Sequence, residues 1–443
     1  MSTLFGMALG GWLSGKAFDL TGTYQAAFLN GVAWNALNVG NTLVLLNGRR
    51  VVQHPGSQAS ASLAPVLTYN TNAIPVYGVQ RVEVLRDGAA ALYGTDAVAG
   101  VVNTVLRDNI DGGSLSLQYG GAEGTRLREF NASGYLGKDL AESRGNISLL
   151  FNYTRRSALT SQDQDFTATA DHRDFADFAG TVFAGNNALD DRSPLSPWGD
   201  FSTGVRVRRN GANVTSTAGA FSLQPTANGG CSATLANDIC IDDGTRATTG
   251  ADRNTRWNAQ ANYPISISPE LDRVNVFASG HYELSDAVTL FGEAGYYYGR
   301  TRSTQDSVFT IGSIRMSIPS SNYWNPFGPV TFANGSTNPN RLSGIDAPAA
   351  GLPVTMTNYR FTDMGPTIVD VTNRQYRAVL GLRGDALGFH WESALVYSEA
   401  SVRDTQDGIS ATLLQRNLAL STPDAYNPFN GGNPADPTGI DTS

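Results

Sequence analysis

Charge is scarce in this chain. Of 443 residues, 16% are Asp, Glu, Lys or Arg, against about a quarter in an ordinary soluble domain. Cysteine is nearly absent: Cys231 and Cys240 stand alone in a polar, loop-like stretch. With only four histidines in addition, no ligand spacing for a metal site is present, and no cofactor is expected. Basic blocks are missing too. "RVRR" at 206–209 is too short, and the net charge is −8, so nucleic acid is not an expected partner. No apolar run reaches the length of a spanning helix, and mean hydropathy is −0.21, which argues against a helical membrane protein. No Ser/His/Asp or Cys/His arrangement, phosphate loop or zinc motif stands out, so the chain does not read as an enzyme. The opening "MSTLFGMALGGWLSG" lacks the basic start and cleavage site of a secretory leader.

What the chain does have is glycine, 48 in all, together with 17 tyrosines and many Asn, Ser and Thr. That mixture suits a turn-rich, strand-rich protein: a transmembrane β-barrel, a secreted β-sandwich or a β-solenoid. Segments of strand character recur at 112–120, 125–137, 144–156, 271–284, 287–300, 374–385 and 388–400. Several alternate. Ile147, Leu149, Phe151 and Tyr153 face opposite to Asn146, Ser148 and Asn152. Val288, Leu290, Ala294 and Tyr296 face opposite to Thr289, Glu293 and Tyr297. Each run approaches the ~9–11 residues that a tilted membrane strand needs. The connections supply a second regularity. If 112–120 runs outward, the short connections at 138–143, 285–286 and 386–387 fall on one side. The long ones, 157–270 and 301–373, fall on the other. Short inner turns and long outer loops are the bacterial barrel pattern; a sandwich gives no reason for it.

The first 109 residues differ. Residues 1–38 read as an apolar helical segment. "GGWLSGKAFDLTGTYQAAFLNGVAWNALN" resembles the final helical hairpin of major facilitator transporters of the oxalate/formate type. From residue 39, "NTLVLLNGRRVV" reads as a strand, a tight Asn47-Gly48 turn and a second strand. "VQRVEVLR" alternates, Asp87-Gly88 turns the chain, "AAALY" suits a short helix ended by Gly94, and "VVNTVL" is a returning strand.

"NTLVLLNGRR" followed by "IPVYGVQRVEVLRDGAAALYGTDAVAGVVNTVLR" resembles the plug domain of TonB-dependent outer-membrane receptors. The resemblance implies a mainly β chain: a small α+β plug, here its C-terminal part at 39–109, then the N-terminal part of an antiparallel transmembrane β-barrel at 110–443. Such receptors have about 22 strands around the plug; seven are legible here. The barrel is therefore expected to be incomplete, with the earlier plug half and the TonB-contacting segment missing and residues 1–38 foreign to the receptor. The implied function is energised uptake of a scarce extracellular ligand, a siderophore, cobalamin or an oligosaccharide. The implied location is the outer membrane of a Gram-negative bacterium, with membrane lipid and, in a full-length parent, the TonB complex as partners. The alternative is a non-transporting, adhesin-like surface protein, which would have no use for a plug.

Several residues stand out within this frame. Gly88, Tyr93, Gly94 and Gly100 are expected to be plug framework. Arg81, Glu83 and Arg86 lie on a plug strand, and Glu293 and Glu392 on inward barrel faces. They either pair across the plug–barrel boundary or stay solvated in a wet lumen; a buried charge needs a partner. Cys231 and Cys240 are a candidate disulfide, since an exported loop meets no reducing pool. "YWNPFG" (323–328) and "AYNPFN" (425–430) carry aromatics that would suit ligand stacking, but Asn-Pro alone explains both as turns. Asp242 and Asp243 match no calcium loop and read as solvated.

Overall fold

The computed structural model describes residues 42–55, 68–86, 93–94, 97, 100–141, 143–175, 179–216, 219–242, 255–309, 315–386 and 388–433. The helical reading of 1–38, and Gly88, lie outside the described residues. What is described is mainly β and has three parts.

The first part is a small sheet. Strands β1 (Thr42–Leu46) and β2 (Arg49–Arg50) form a hairpin. Both turn residues, Asn47 and Gly48, have positive φ, which suits the right-handed twist of the flanking strands. Strands β3 (Val79–Arg86) and β4 (Gly100–Leu106) pair antiparallel, and β4 lies parallel to β1, so the order is β2-β1-β4-β3.

The second part is a wall of seven antiparallel strands: β5 (Gly112–Gly121), β6 (Arg128–Leu140), β7 (Gly145–Arg156), β16 (Glu270–Ser285), β17 (Val288–Gln305), β20 (Thr367–Ala386) and β21 (Phe389–Gln406). Each wall strand coincides with one of the seven segments read from the sequence, and several extend further outward. The order β21-β20-β17-β16-β7-β6-β5 makes sequence neighbours wall neighbours. Among the described residues the sheet does not close on itself. Its two faces differ as the alternation requires. Leu115, Leu117, Leu136, Ile147, Leu380 and Leu395 are exposed on the outer face. Asn146, Ser148, Asn275 and Gln375 are buried on the inner face, where the small sheet sits.

The third part lies beyond the outward ends of the wall strands and departs from expectation. The connections read as loops contain a six-stranded sheet, ordered β13 (Cys231–Thr234), β14 (Ile239–Asp242), β12 (Ala220–Pro225), β9 (Asp200–Ser202), β19 (Val354–Thr357) and β18 (Met316–Ile318). Strands β9, β12, β13 and β14 come from one long connection. Strands β18 and β19 come from the other. With the helix Ala411–Leu418 they enclose a separate core that includes Phe201, Phe221, Ile241, Phe327, Met356 and Tyr359. Strands of three to six residues carry too few alternations to be seen in sequence.

Small sheet and wall meet through a shared core. Leu46, Val51 and Leu106 pack with Ile110, Leu150 and Phe277. Two glycines permit this approach. A Cβ on Gly78 would come within 2.1 Å of the Leu150 side chain, and one on Gly137 within 2.2 Å of the Ile110 carbonyl oxygen. Ile110 joins the two parts: its N–H donates to Ser148 Oγ (3.1 Å), and its carbonyl accepts from Asn146 Nδ2 (2.9 Å). Gly137→Ala is therefore expected to lower stability in detergent by about 1–3 kcal/mol through overpacking against backbone. Gly120→Ala, with open space around it, should stay within about 0.5 kcal/mol. Urea unfolding followed by tryptophan fluorescence compares the two.

Candidate functional site at the plug–wall contact

The hairpin turn aims its side chains at the wall. Asn47 Nδ2 donates to Glu293 Oε1 at 2.9 Å. Arg49, next in line, lies 3.8 Å from the same oxygen, forms a close ion pair with Glu392, and sits over the Phe291 ring at 4.8 Å. From the wall side, Arg377 reaches Glu293 at 3.5 Å and donates to the carbonyl of Arg50 at 2.9 Å. Register explains the convergence: Glu293 faces Val379 across β17 and β20, so Arg377 is its diagonal neighbour on the same face. The side chains of Glu293 and Arg377 are 8% and 5% exposed. Charges this buried are tolerated only as a mutually compensated set. The result is a five-residue latch, Asn47, Arg49, Glu293, Arg377 and Glu392, spanning small sheet and wall. Further outward, Arg273 Nη1 donates to Asn72 Oδ1 (2.8 Å) and His54 Nε2 contacts Asn373 Oδ1 (3.0 Å). This contact belongs to binding and holding; among the described residues no cluster of His, Cys, Asp or Glu could hold a metal.

The residues singled out in sequence are distributed unevenly around it. Arg81, Glu83, Glu293 and Glu392 all line one polar cavity of about 410 Å³ between small sheet and wall. Within that cavity Arg81 bonds Glu83 on its own strand at 2.7 Å, and Asn103 donates to Glu83 at 2.8 Å. The cation that meets Glu293 and Glu392 is Arg49, not Arg81. Arg86 ends β3 opposite Gly100; its side chain lies outside the described residues. Tyr93 packs against Leu43, Leu45, Ala97 and Val101, and its carbonyl accepts from Arg50 Nη2. Gly94 (φ +87°) and Gly100 (φ +140°) hold backbone angles that favour glycine. The sequence reading missed Asn47, Arg49 and Arg377. A signal for the last was present, because inward parity along β20 places 375, 377 and 379 together.

The outer part resolves the remaining motifs as structure. Asn325 Oδ1 accepts from Phe327 N (2.9 Å), and Asn427 Oδ1 accepts from Phe429 N (3.0 Å). Each Asn-Pro-Phe thus makes the same side-chain-capped turn, and both phenylalanines are buried. Trp324 Nε1 donates to the Ala425 carbonyl (2.9 Å) and ties the two motifs together. Burial removes these phenylalanines from any ligand. Cys231 and Cys240 are disulfide-bonded. Asp242 is not solvated: it is buried in β14 and accepts from Ser222 N (3.1 Å). Asp243 lies outside the described residues. Buried Arg360 joins the long connections, donating to the carbonyls of Leu195 and Ser307 at 2.9 Å each and pairing with Asp306. Burial pushes its pKa down, while Asp306 opposes that shift. Asp171 and Asp190 bridge the base of another loop. Arg173 bonds Asp171 at 2.6 Å, and Arg192 bonds Asp190 at 2.9 Å. The Arg173 guanidinium holds the Asp171 carboxyl below the usual range.

Residues 13–101 match the family model described as the TonB-dependent receptor plug domain. That part of the chain is therefore a plug of the TonB-dependent receptor type; β1, β2 and β3 of the small sheet lie within the matched range, which ends two residues into β4. The match begins at residue 13 and so also takes in part of the segment before the described residues. Solved structures similar to this chain include the ferric enterobactin receptor of Pseudomonas aeruginosa, 14% identical, covering 82% of this chain and 42% of that one at a TM-score of 0.30. The siderophore receptor PirA of Acinetobacter baumannii is 13% identical, with 82% and 40% covered and a TM-score of 0.27. This chain thus spans less than half the length of those receptors.

Two outcomes follow from the geometry. Glu293→Gln leaves Arg377 buried without its carboxylate and should destabilise plug–wall packing by about 3–5 kcal/mol. Arg81→Gln, at an exposed pair, should change it by about 1 kcal/mol or less. Urea titration in detergent, with Arg49→Gln completing a double-mutant cycle on Glu293, measures both. The second outcome concerns acid. Because the folded Asp171 pKa is depressed, its contribution is fully present above the unfolded value of about 4 and is lost as pH falls through the folded value. Amide exchange across 171–190 should rise below about pH 4, and Asp171→Asn should abolish that pH dependence.

Proposed function

We propose that this chain forms the plug and adjoining barrel wall of a TonB-dependent receptor in the outer membrane of a Gram-negative bacterium. It serves energised uptake of a small, scarce extracellular ligand and carries out no chemical conversion. The observation that carries this reading is the two-sided wall. Its inner face is polar and latched to a plug, while its outer face exposes leucine, isoleucine and tyrosine side chains, as a lipid-facing barrel surface requires. An adhesin-like role would leave the latch between Arg49, Glu293 and Arg377 without purpose. The ligand class is a siderophore, cobalamin or an oligosaccharide, and the outer domain above the wall is the part of the chain positioned to meet it. The plug then acts as a gate, held shut by the latch and released when an inner-membrane complex pulls on it.

Uptake of a labelled ferric siderophore, cobalamin and a maltodextrin by cells carrying the gene provides the test. Uptake of one of them should fall to background when the gene or TonB is deleted. Uptake of all three that is indifferent to both deletions would overturn the reading.

A further inference from the structure

The outer face of the wall changes character in a fixed order along three adjacent strands. Read across β17, β20 and β21, the rows run Gly292, Leu380, Leu395, then Ala294, Ala378, Tyr397, then Tyr296, Tyr376, Glu399. The next rows are Tyr298, Arg374, Ser401, then Arg300, Thr372, Arg403, then Arg302, Asp370, Thr405. An apolar band thus gives way to a tyrosine band, with the rings of Tyr296 and Tyr376 5.2 Å apart, and then to four arginines. Tyrosine belts mark the membrane–water interface. Strand length agrees. A tilted strand crosses the hydrocarbon in about 9–11 residues. Counted from the inner turns at Val288, Ala386 and Phe389, that crossing ends near Tyr298, Tyr376 and Glu399, one row below the arginines.

All four arginines are exposed. Arg300 is held by Asp370, its Nε 3.0 Å from Oδ2. Arg302, Arg374 and Arg403 have no hydrogen bond or ion pair among the described residues. On the β16 side, Glu270 and Asp272 stand opposite Arg302 and Arg300, and Asp272 also lies 3.8 Å from Arg155. Toward β21, Arg374 and Arg403 are diagonal neighbours on one face, and the four arginines outnumber the carboxylates there, Asp370, which acts on Arg300, Arg302 and Arg403 together, and Asp407. Arg374 and Arg403 border a cavity of about 470 Å³ shared with Tyr298, Arg300, Asp370 and Asp407. Guanidinium groups at headgroup depth, on the lipid side of a wall, suit bidentate binding of phosphate oxygens.

We propose that Arg374 and Arg403, assisted by Arg302, bind the phosphate of an anionic lipid headgroup in the outer leaflet. This rests on the reading of the wall as a membrane barrel. Its effect is to anchor the outward ends of β20 and β21 to a particular lipid and to set the depth of the wall in the membrane.

The test is native mass spectrometry of the full chain in detergent micelles doped with phosphatidic acid or with phosphatidylcholine of the same acyl chains. Phosphatidic acid should be retained about tenfold more than phosphatidylcholine. The double variant Arg374→Gln/Arg403→Gln should lose that preference. Arg374→Lys/Arg403→Lys, which keeps the charge, should preserve most of it, and Arg209→Gln, the same charge change in the outer domain, should leave it intact. Equal retention of the two lipids by the wild-type chain would overturn the phosphate site while leaving the lipid-facing wall standing. Retention of neither would overturn both. Displacement of phosphatidic acid by an equal concentration of inorganic phosphate would overturn the lipid as the source of the phosphate.

Discussion

A slip of β17 by one residue against β20 would carry Glu293 to the apolar face, away from Arg377, and turn Leu290 toward the plug. Strand side chains alternate with a period of two, so register assigns every residue of the wall to one of two incompatible environments. The outer face exposes Leu115, Leu136, Ile147 and Leu395; the inner face buries Asn146, Ser148, Asn275 and Gln375. Long, nearly uninterrupted ladders enforce this over a wide surface. The β17–β20 pairing runs without a shift from Val288 opposite Gly384 to Gln305 opposite Thr367. The latch, the tyrosine band and the arginine rows all follow from that one registration.

The plug adds a second constraint, because it must hold to the inner face although a polar cavity of about 410 Å³ lies between them. It does so with two kinds of contact. Leu46, Val51 and Leu106 form an apolar seam with Leu150 and Phe277. Beside it, Asn47 and Arg49 enter a polar site completed by the wall. Gly78 and Gly137 let backbone and side chains approach where a methyl group would collide. The apolar seam supplies adhesion. The charged set makes separation costly, since lifting the small sheet takes Asn47 and Arg49 away from Glu293 and Glu392 and the Arg50 carbonyl away from buried Arg377.

The outer domain is energetically distinct. Among the described residues its core of Phe201, Phe221, Phe327, Tyr359 and Tyr426 is a cluster separate from the plug–wall seam, and its sheet draws strands from both long connections. Arg360 holds those connections together, and the paired Asn-Pro-Phe turns tie the second of them to the segment after β21. Material that reads as loop is thereby converted into a preformed body above the wall.

The wall and the plug hairpin were legible from sequence because their signals are local and repeated. Seven strand-like segments recur and several of them alternate, "NGRR" names its own turn, and the short connections fall on one side. By contrast, neither the outer sheet nor the partner of Glu293 could be read off the chain. The outer strands are three to six residues long, and the β9–β19 pairing that joins the two connections spans more than a hundred positions, so no local period reveals them. Arg49 and Arg81 look alike in sequence: each is an arginine beside a plug strand. Which one meets Glu293 depends on how the β1–β2 hairpin is aimed when the plug docks, and docking is decided by the packing of Leu46, Val51 and Leu106 against Leu150 and Phe277. Alternation by itself determined which face each wall residue occupies, because that is a property of one strand. Charge pairing was left to the tertiary structure, because it depends on the distance between two surfaces that meet only after both have formed.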